Sequence, residues 1–145
     1  MSTTADRFRA AVESGDIASA EALLADDVTF HSPVKFSPFA GKAMVMAVLG
    51  FVTQVFEDFR YVGELEGTGS RADEGDAVPS EILVFRANVA GKAIHGLDLL
   101  QLDDDGLISE FTVMVRPLSA VIALRDAMNQ KMVEAGFAPA SVLQG

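Results

Sequence analysis

Asp98 lies in the run Ile94-His95-Gly96-Leu97-Asp98-Leu99-Leu100-Gln101-Leu102, where it is the sole acid. Side chains of a strand alternate between faces, so Ile94, Gly96, Asp98, Leu100 and Leu102 share one side if the run is extended. That side is otherwise apolar. Desolvation disfavours a carboxylate and raises its pKa, and an acid perturbed in this way inside an apolar concavity is a candidate for proton transfer. The same spacing also fits an edge-strand aspartate facing water, because alternation alone does not say which face is buried.

The remaining residue types narrow the chemistry. The chain has two histidines without helical or short spacing and no cysteine, which leaves no zinc ligand set, no disulfide and no thiolate nucleophile. Gly67-Thr68-Gly69-Ser70 is rich in glycine but lacks a following Lys-Ser/Thr pair, so it reads as a loop rather than a phosphate cradle. Asp26-Asp27, Asp73 to Asp76 and Asp103-Asp104-Asp105 fall where turns are expected. They read as solvated acid, and the triple aspartate lacks the ligand spacing of a helix-loop-helix calcium site. No metal and no cofactor is implied.

Net charge is -10, so phosphate backbones and anionic lipid surfaces are repelled at long range and nucleic acid is not an expected partner. Hydrophobic residues make up 50% of the 145 and mean hydropathy is +0.29. This argues for a packed core, and no apolar run approaches the roughly 18 residues that suggest a membrane span. Met1 to Asp16 has no basic segment leading into an apolar one, so we expect no secretion signal and a cytoplasmic location.

These residues need elements to hold them. The pattern predicts a helix over 3–14, a break at Gly15 and a second short helix capped by Asp16. A strand from Val28 to Ser32 follows, then a loop around Pro33 and Pro38, then a helix from Gly41 to about Glu57. Val45, Val48, Leu49, Val52, Val55 and Phe56 form its stripe, and Met44, Met46 and Phe51 widen the apolar surface as for a helix covered on several sides or lining a cavity. From Phe59 the period becomes two, giving strands near 59–66, 80–90, 93–102 and 107–116 with a surface loop over 67–79. An amphipathic helix runs from Leu118 to about Gly136. We expect one domain over 1–136 and a tail over 137–145.

Helices first and strands after imply an α+β domain in which a curved antiparallel sheet wraps the N-terminal helices as a cone, with an additional C-terminal helix. By parity Phe85, Ala87, Gly96, Asp98, Leu100, Phe111, Val113 and Val115 could line its inside. Val84, Arg86, His95, Leu97, Leu99, Glu110, Thr112, Met114 and Arg116 would line the other face, whose mix of apolar and charged residues suits a subunit interface.

Two stretches carry a resemblance. Ala25-Asp26-Asp27-Val28-Thr29-Phe30-His31-Ser32-Pro33-Val34, continuing to Gly41, resembles the segment that bears the general base in ketosteroid isomerases. Asp98 to Ile108 resembles the strand, turn and strand in which those isomerases and the SnoaL-like polyketide cyclases place a functional aspartate. Together with the element order, they make residues 5–116 similar to the nuclear transport factor 2-like superfamily. The resemblance places Asp98 on the pocket aspartate. It places Ser32 on the general-base position and Phe8 on the position of the tyrosine that donates to the oxyanion. Serine cannot take a proton from carbon unaided and phenylalanine has no hydroxyl, so ketosteroid isomerase activity is not expected.

The cyclases fit better, since they need mainly one aspartate as acid and base in an apolar pocket. The resemblance implies a small hydrophobic carbonyl compound as ligand and an acid-base cyclase, isomerase or lyase. Asp98 and His31 are then the candidate catalytic residues. Phe8, Ser32, Tyr61, Phe85, Ala87, Gly96, Leu100, Phe111, Val113 and Val115 are candidate substrate contacts. His31 equally fits a strand-end histidine bonded to the proline-rich loop, and Tyr61 a core residue with a satisfied hydroxyl. The superfamily's habit implies a homodimer through the outer sheet face. The rival reading is a non-catalytic ligand-binding or dimerisation module of the same fold.

Overall fold

The computed structural model describes residues 3–137. Helix α1 (Thr4–Ser14) starts with a capping box: the Asp6 N–H donates to Thr3 Oγ1 at 2.9 Å and the Thr3 N–H to the Asp6 carboxylate at 3.1 Å. It stops at Gly15, whose φ of 72° is a left-handed cap that glycine adopts without strain. Helix α2 (Ile17–Ala22) is capped by Asp16. Strands β1 (Leu24–His31) and β2 (Phe39–Ala40) precede helix α3 (Lys42–Val55). Strands β3 (Glu57–Ser70), β4 (Ala77–Val89), β5 (Lys92–Leu102) and β6 (Ile108–Arg116) then lead into helix α4 (Leu118–Glu134).

The six strands form one curved, open sheet in the order β2-β1-β6-β5-β4-β3. All neighbours are antiparallel except β1 and β6, which are parallel, so the expectation of a purely antiparallel sheet is corrected to a mixed one. The parallel pair arises because the chain leaves β1 through α3 and three further strands before returning beside it. Strand β1 also begins earlier than expected. Asp26 and Asp27 are exposed within it, beside a register shift between Leu24 and Thr29, instead of forming a turn. The anticipated loop over 67–79 shrinks to 71–76, since the β3–β4 ladder continues to Ser70 opposite Ala77.

One sheet face is closed by the helices. Ile94, Gly96, Asp98, Leu100 and Leu102 are all buried, so alternation in β5 is as read from the sequence. Helix α1 is pinned over the sheet by its own start: the Ala5 N–H donates 2.9 Å to Glu81 Oε1 on β4, which satisfies a free donor of the first helical turn. Apolar burial supplies the rest, with Phe8, Val45, Val48, Leu83, Phe85, Leu100, Phe111 and Leu124 in one core. Of the anticipated tail, residues 138–145 lie outside the described residues.

Candidate functional site

Between the inner sheet face and helices α1, α3 and α4 lies a cavity of about 500 Å³. Its wall is mainly apolar, built from Phe8 and Val12 of α1, Phe30 of β1, Met46, Leu49 and Val52 of α3, Phe56 and Phe59 around the start of β3, Phe111 and Val113 of β6, and Leu124 and Met128 of α4. A volume and lining of this kind suit a small, largely apolar molecule. Glu13, Asp16 and Arg60 also border the space.

Asp98 and Tyr61 are the polar pair on that wall. Asp98 is 6% exposed and Tyr61 7%. The Tyr61 hydroxyl donates to Asp98 Oδ2 at 3.2 Å. Oδ1 has no donor among the described residues. Burial pushes the Asp98 carboxyl up from 3.8 to about 7, opposed only by the hydrogen bond from Tyr61, which favours the charged form. The Tyr61 hydroxyl is pushed well above its usual value, first by burial and then by the adjacent Asp98 charge, so it stays protonated as a donor. The ladder shifts register on either side of Arg60 and Tyr61, and bulges of this sort re-aim a side chain without ending a strand. The Arg9 guanidinium lies 5.8 Å from the centre of the Tyr61 ring.

The sequence-derived residues divide three ways. Phe8, Ser32, Tyr61, Asp98, Phe111 and Val113 line the cavity together. Ser32 is occupied locally, its Oγ accepting from the Val34 N–H at 3.1 Å. Phe85, Ala87, Gly96, Leu100 and Val115 share the inner face but are packed in the core behind the lining. Gly96 has a role there. A Cβ on it would sit 2.5 Å from Phe85 Cζ and 2.8 Å from the Met114 carbonyl oxygen, so its bareness admits the Phe85 ring.

His31 is the correction. It stands opposite Thr112 on the outer face, and its Nε2 lies 3.3 Å from Glu110 Oε1, away from Asp98. That nitrogen is shielded from water and lacks the alignment of a hydrogen bond, so the contact is electrostatic when the ring is protonated. Strand parity places it there, since Phe30 takes the inward position beside it. Sequence reasoning missed Phe30, Phe59, Leu124 and Met128 as lining residues; the broad apolar surface of α3 signalled a cavity, which that helix lines through Met46, Leu49 and Val52, but did not point to these four.

A family model for the SnoaL-like domain matches residues 5–111. The chain belongs to the SnoaL-like family. Within the solved structures, this SnoaL-like domain is similar to an uncharacterised protein with a cystatin-like fold from Silicibacter pomeroyi, at 40% identity, 92% of this chain, 89% of that chain and a TM-score of 0.77. It is also similar to a steroid delta-isomerase from Pseudomonas aeruginosa, at 33% identity, 93% of each chain and a TM-score of 0.79. A nuclear transport factor 2-like protein from Cytophaga hutchinsonii, at 22% identity over 81% of this chain and 93% of that one with a TM-score of 0.53, shares the fold. The SnoaL-like domain therefore has the nuclear transport factor 2-like fold. Among curated proteins none matches. No helix of the described residues is long and apolar enough to cross a membrane.

Proposed function

We propose that the cavity binds a small hydrophobic molecule bearing a carbonyl group, and that Asp98 moves a proton on it. The observation that carries this reading is a carboxyl group with its pKa pushed up to about 7, one oxygen held by Tyr61 and the other lacking a donor among the described residues, on the wall of an apolar cavity. Near neutrality both forms of Asp98 are populated. The carboxylate takes a proton from carbon next to the ligand's carbonyl, and the resulting acid returns it to a different atom or to a new position on the same skeleton. Tyr61 holds the carboxyl in place and stays a donor throughout. This is the chemistry of a cyclase, isomerase or lyase acting through one acid-base group.

The Pseudomonas aeruginosa relative is described as a steroid delta-isomerase, which makes a steroid enone a natural first compound. Ser32 and Phe8 stand where the resemblance puts the isomerases' base and tyrosine, so we expect binding of a steroid enone without efficient isomerisation. The test is hydrogen-deuterium exchange at the carbon beside the carbonyl of a panel of hydrophobic ketones. Wild-type protein should accelerate exchange, and Asp98→Asn should lose that acceleration by about 10²- to 10⁴-fold. Equal exchange by both proteins would overturn the catalytic role. Ligand binding without any exchange would establish the rival, a binding module, which is favoured by the lack, among the described residues, of a second buried acid or base beside Asp98 and Tyr61.

The outer sheet face is the proposed homodimer surface. Val62, Leu65 and Met114 are 53%, 55% and 53% exposed there, beside half-buried Ile82, Val84, Leu97 and Leu99. A patch of this kind on a sheet marks an interaction surface.

A further inference from the structure

The charged residues on the border of the cavity are not equally occupied. Glu13 has its carboxylate 3.3 Å from Nε of Arg9, one turn earlier on α1. Asp16 caps α2, accepting from the Ser19 N–H at 3.1 Å and from the Ser19 hydroxyl at 2.6 Å. Both acids are thus engaged by the helices they belong to. Arg60 is the exception. Among the described residues no carboxylate lies within ion-pair distance of it, and the position across from it on β4, where a sheet could place an answering acid, holds Arg86. Like charges opposite one another on a sheet are unfavourable, and a guanidinium cannot shed its proton to escape the cost.

An irregular stretch of backbone brings Arg60 to this border. In a regular strand the residue between two inward side chains turns the other way, yet Phe59, Arg60 and Tyr61 all border the cavity. They lie at the start of an edge strand whose ladder shifts register on both sides of Arg60 and Tyr61. Asp58, just before them, has a φ of 53°, left-handed for a residue other than glycine. Strain of that kind persists only where the surroundings hold it, and it gathers at binding sites. Arg60 Nη1 donates to the Asp58 carbonyl at 2.9 Å, so the strained residue and the guanidinium brace one another. Arg60 is exposed and Asp98 is buried, so the cation marks the watery end of the space and the carboxyl its deep end.

We propose that Arg60 is a specificity-determining residue that receives a carboxylate of the ligand, so that the substrate class is a hydrophobic keto acid, with its carbonyl at Asp98 and Tyr61 and its acid group at the border. This rests on the cavity reading above and narrows it. A guanidinium presents parallel N–H groups that match the two oxygens of a carboxylate, and an anion held there offsets the repulsion between Arg60 and Arg86. An apolar wall does not tell an acid from its ester. The net charge of -10 disfavours anions at long range, so taking one up depends on this local cation.

The test is calorimetric binding of phenyl ketones that carry a terminal carboxylate on linear chains of increasing length, each beside its methyl ester. At the best length the acid should bind wild-type protein about tenfold or more tighter than the ester. The preference should shrink as salt rises, because the border is open to solvent. Arg60→Gln should abolish it by weakening the acid alone, and Arg60→Lys should keep part of it. Equal affinities for acid and ester at every length, or a preference that survives Arg60→Gln, overturns the assignment while leaving the cavity reading in place. So does tighter binding of the matching trimethylammonium ketone, which would give the border to Glu13 and Asp16. Loss of the ester together with the acid in Arg60→Gln would make Arg60 a support of the wall, not a selector. If neither acid nor ester binds wild-type protein, the cavity reading falls and this one with it.

Discussion

Asp98 and Glu110 are carboxylates on adjacent strands, 6% and 9% exposed, and they face opposite sides of one sheet. Glu110 is surrounded by partners: the Thr29 hydroxyl at 3.2 Å, the Ala72 N–H at 2.7 Å and His31 Nε2 at 3.3 Å. Asp98 has one side-chain hydrogen bond among the described residues and an open space in front of it. A buried charge that is fully partnered is a structural tie, since its desolvation is offset where it sits. One that is left partly unpartnered keeps a standing cost that a ligand or a proton can relieve. Hiding an acid from water therefore does not make it functional; leaving it under-satisfied beside a cavity does.

The largest effect that would test this contrast is on stability against pH. The folded Asp98 pKa of about 7 lies above its ordinary 3.8, so between those values the folded protein holds a proton that the unfolded chain has released. Its contribution is whole below about pH 4 and is lost as pH rises through 7. Wild-type protein should lose roughly 4 kcal/mol across that window relative to Asp98→Asn, read as diverging urea midpoints. Parallel curves would show Asp98 to be as well solvated or partnered as Glu110.

Next in size is Glu110→Ala, which strands the Thr29 hydroxyl and the Ala72 N–H and should cost about 1–3 kcal/mol. Amide exchange in the 71–76 turn should rise with it, while proton exchange on a bound ketone stays at the wild-type rate. A drop in that rate would mean that the two faces are coupled. A comparable or smaller loss, about 1–3 kcal/mol, is expected for Gly96→Ala, whose methyl must push Phe85 or the Met114 carbonyl aside. Because Phe85 packs on Phe56 and Phe59 with ring centres 5.6 and 5.0 Å away, ligand affinity should fall as well. An unchanged affinity would show the lining to be insulated from the packing behind it.

Asp98 was legible in the sequence because a lone acid in an apolar alternating run marks its own strand face. The fold class followed from the order of periods, with the C-terminal helix in place. Depth was not legible. Parity put Phe85, Ala87, Gly96, Leu100 and Val115 on the inner face correctly, but which inner residues touch the cavity depends on what the helices cover. His31 was misread because its neighbours in the chain, Phe30 and Ser32, both reach the cavity, whereas an alternating strand sends the residue between them outward. The Tyr61–Asp98 bond spans 37 residues, with bulges on either side of the tyrosine that no local pattern announces.

The parallel pairing of β1 with β6 is the longest-range pairing in the sheet. Phe30 and Phe111, with ring centres 5.2 Å apart, are separated in the chain by the whole β3–β5 meander, and closing so long a loop slows folding. A nascent chain can zip β3, β4 and β5 together as hairpins while β1 waits without its parallel neighbour. The chamber around Asp98 thus depends on the sheet's longest-range closure, where the final strand meets the first.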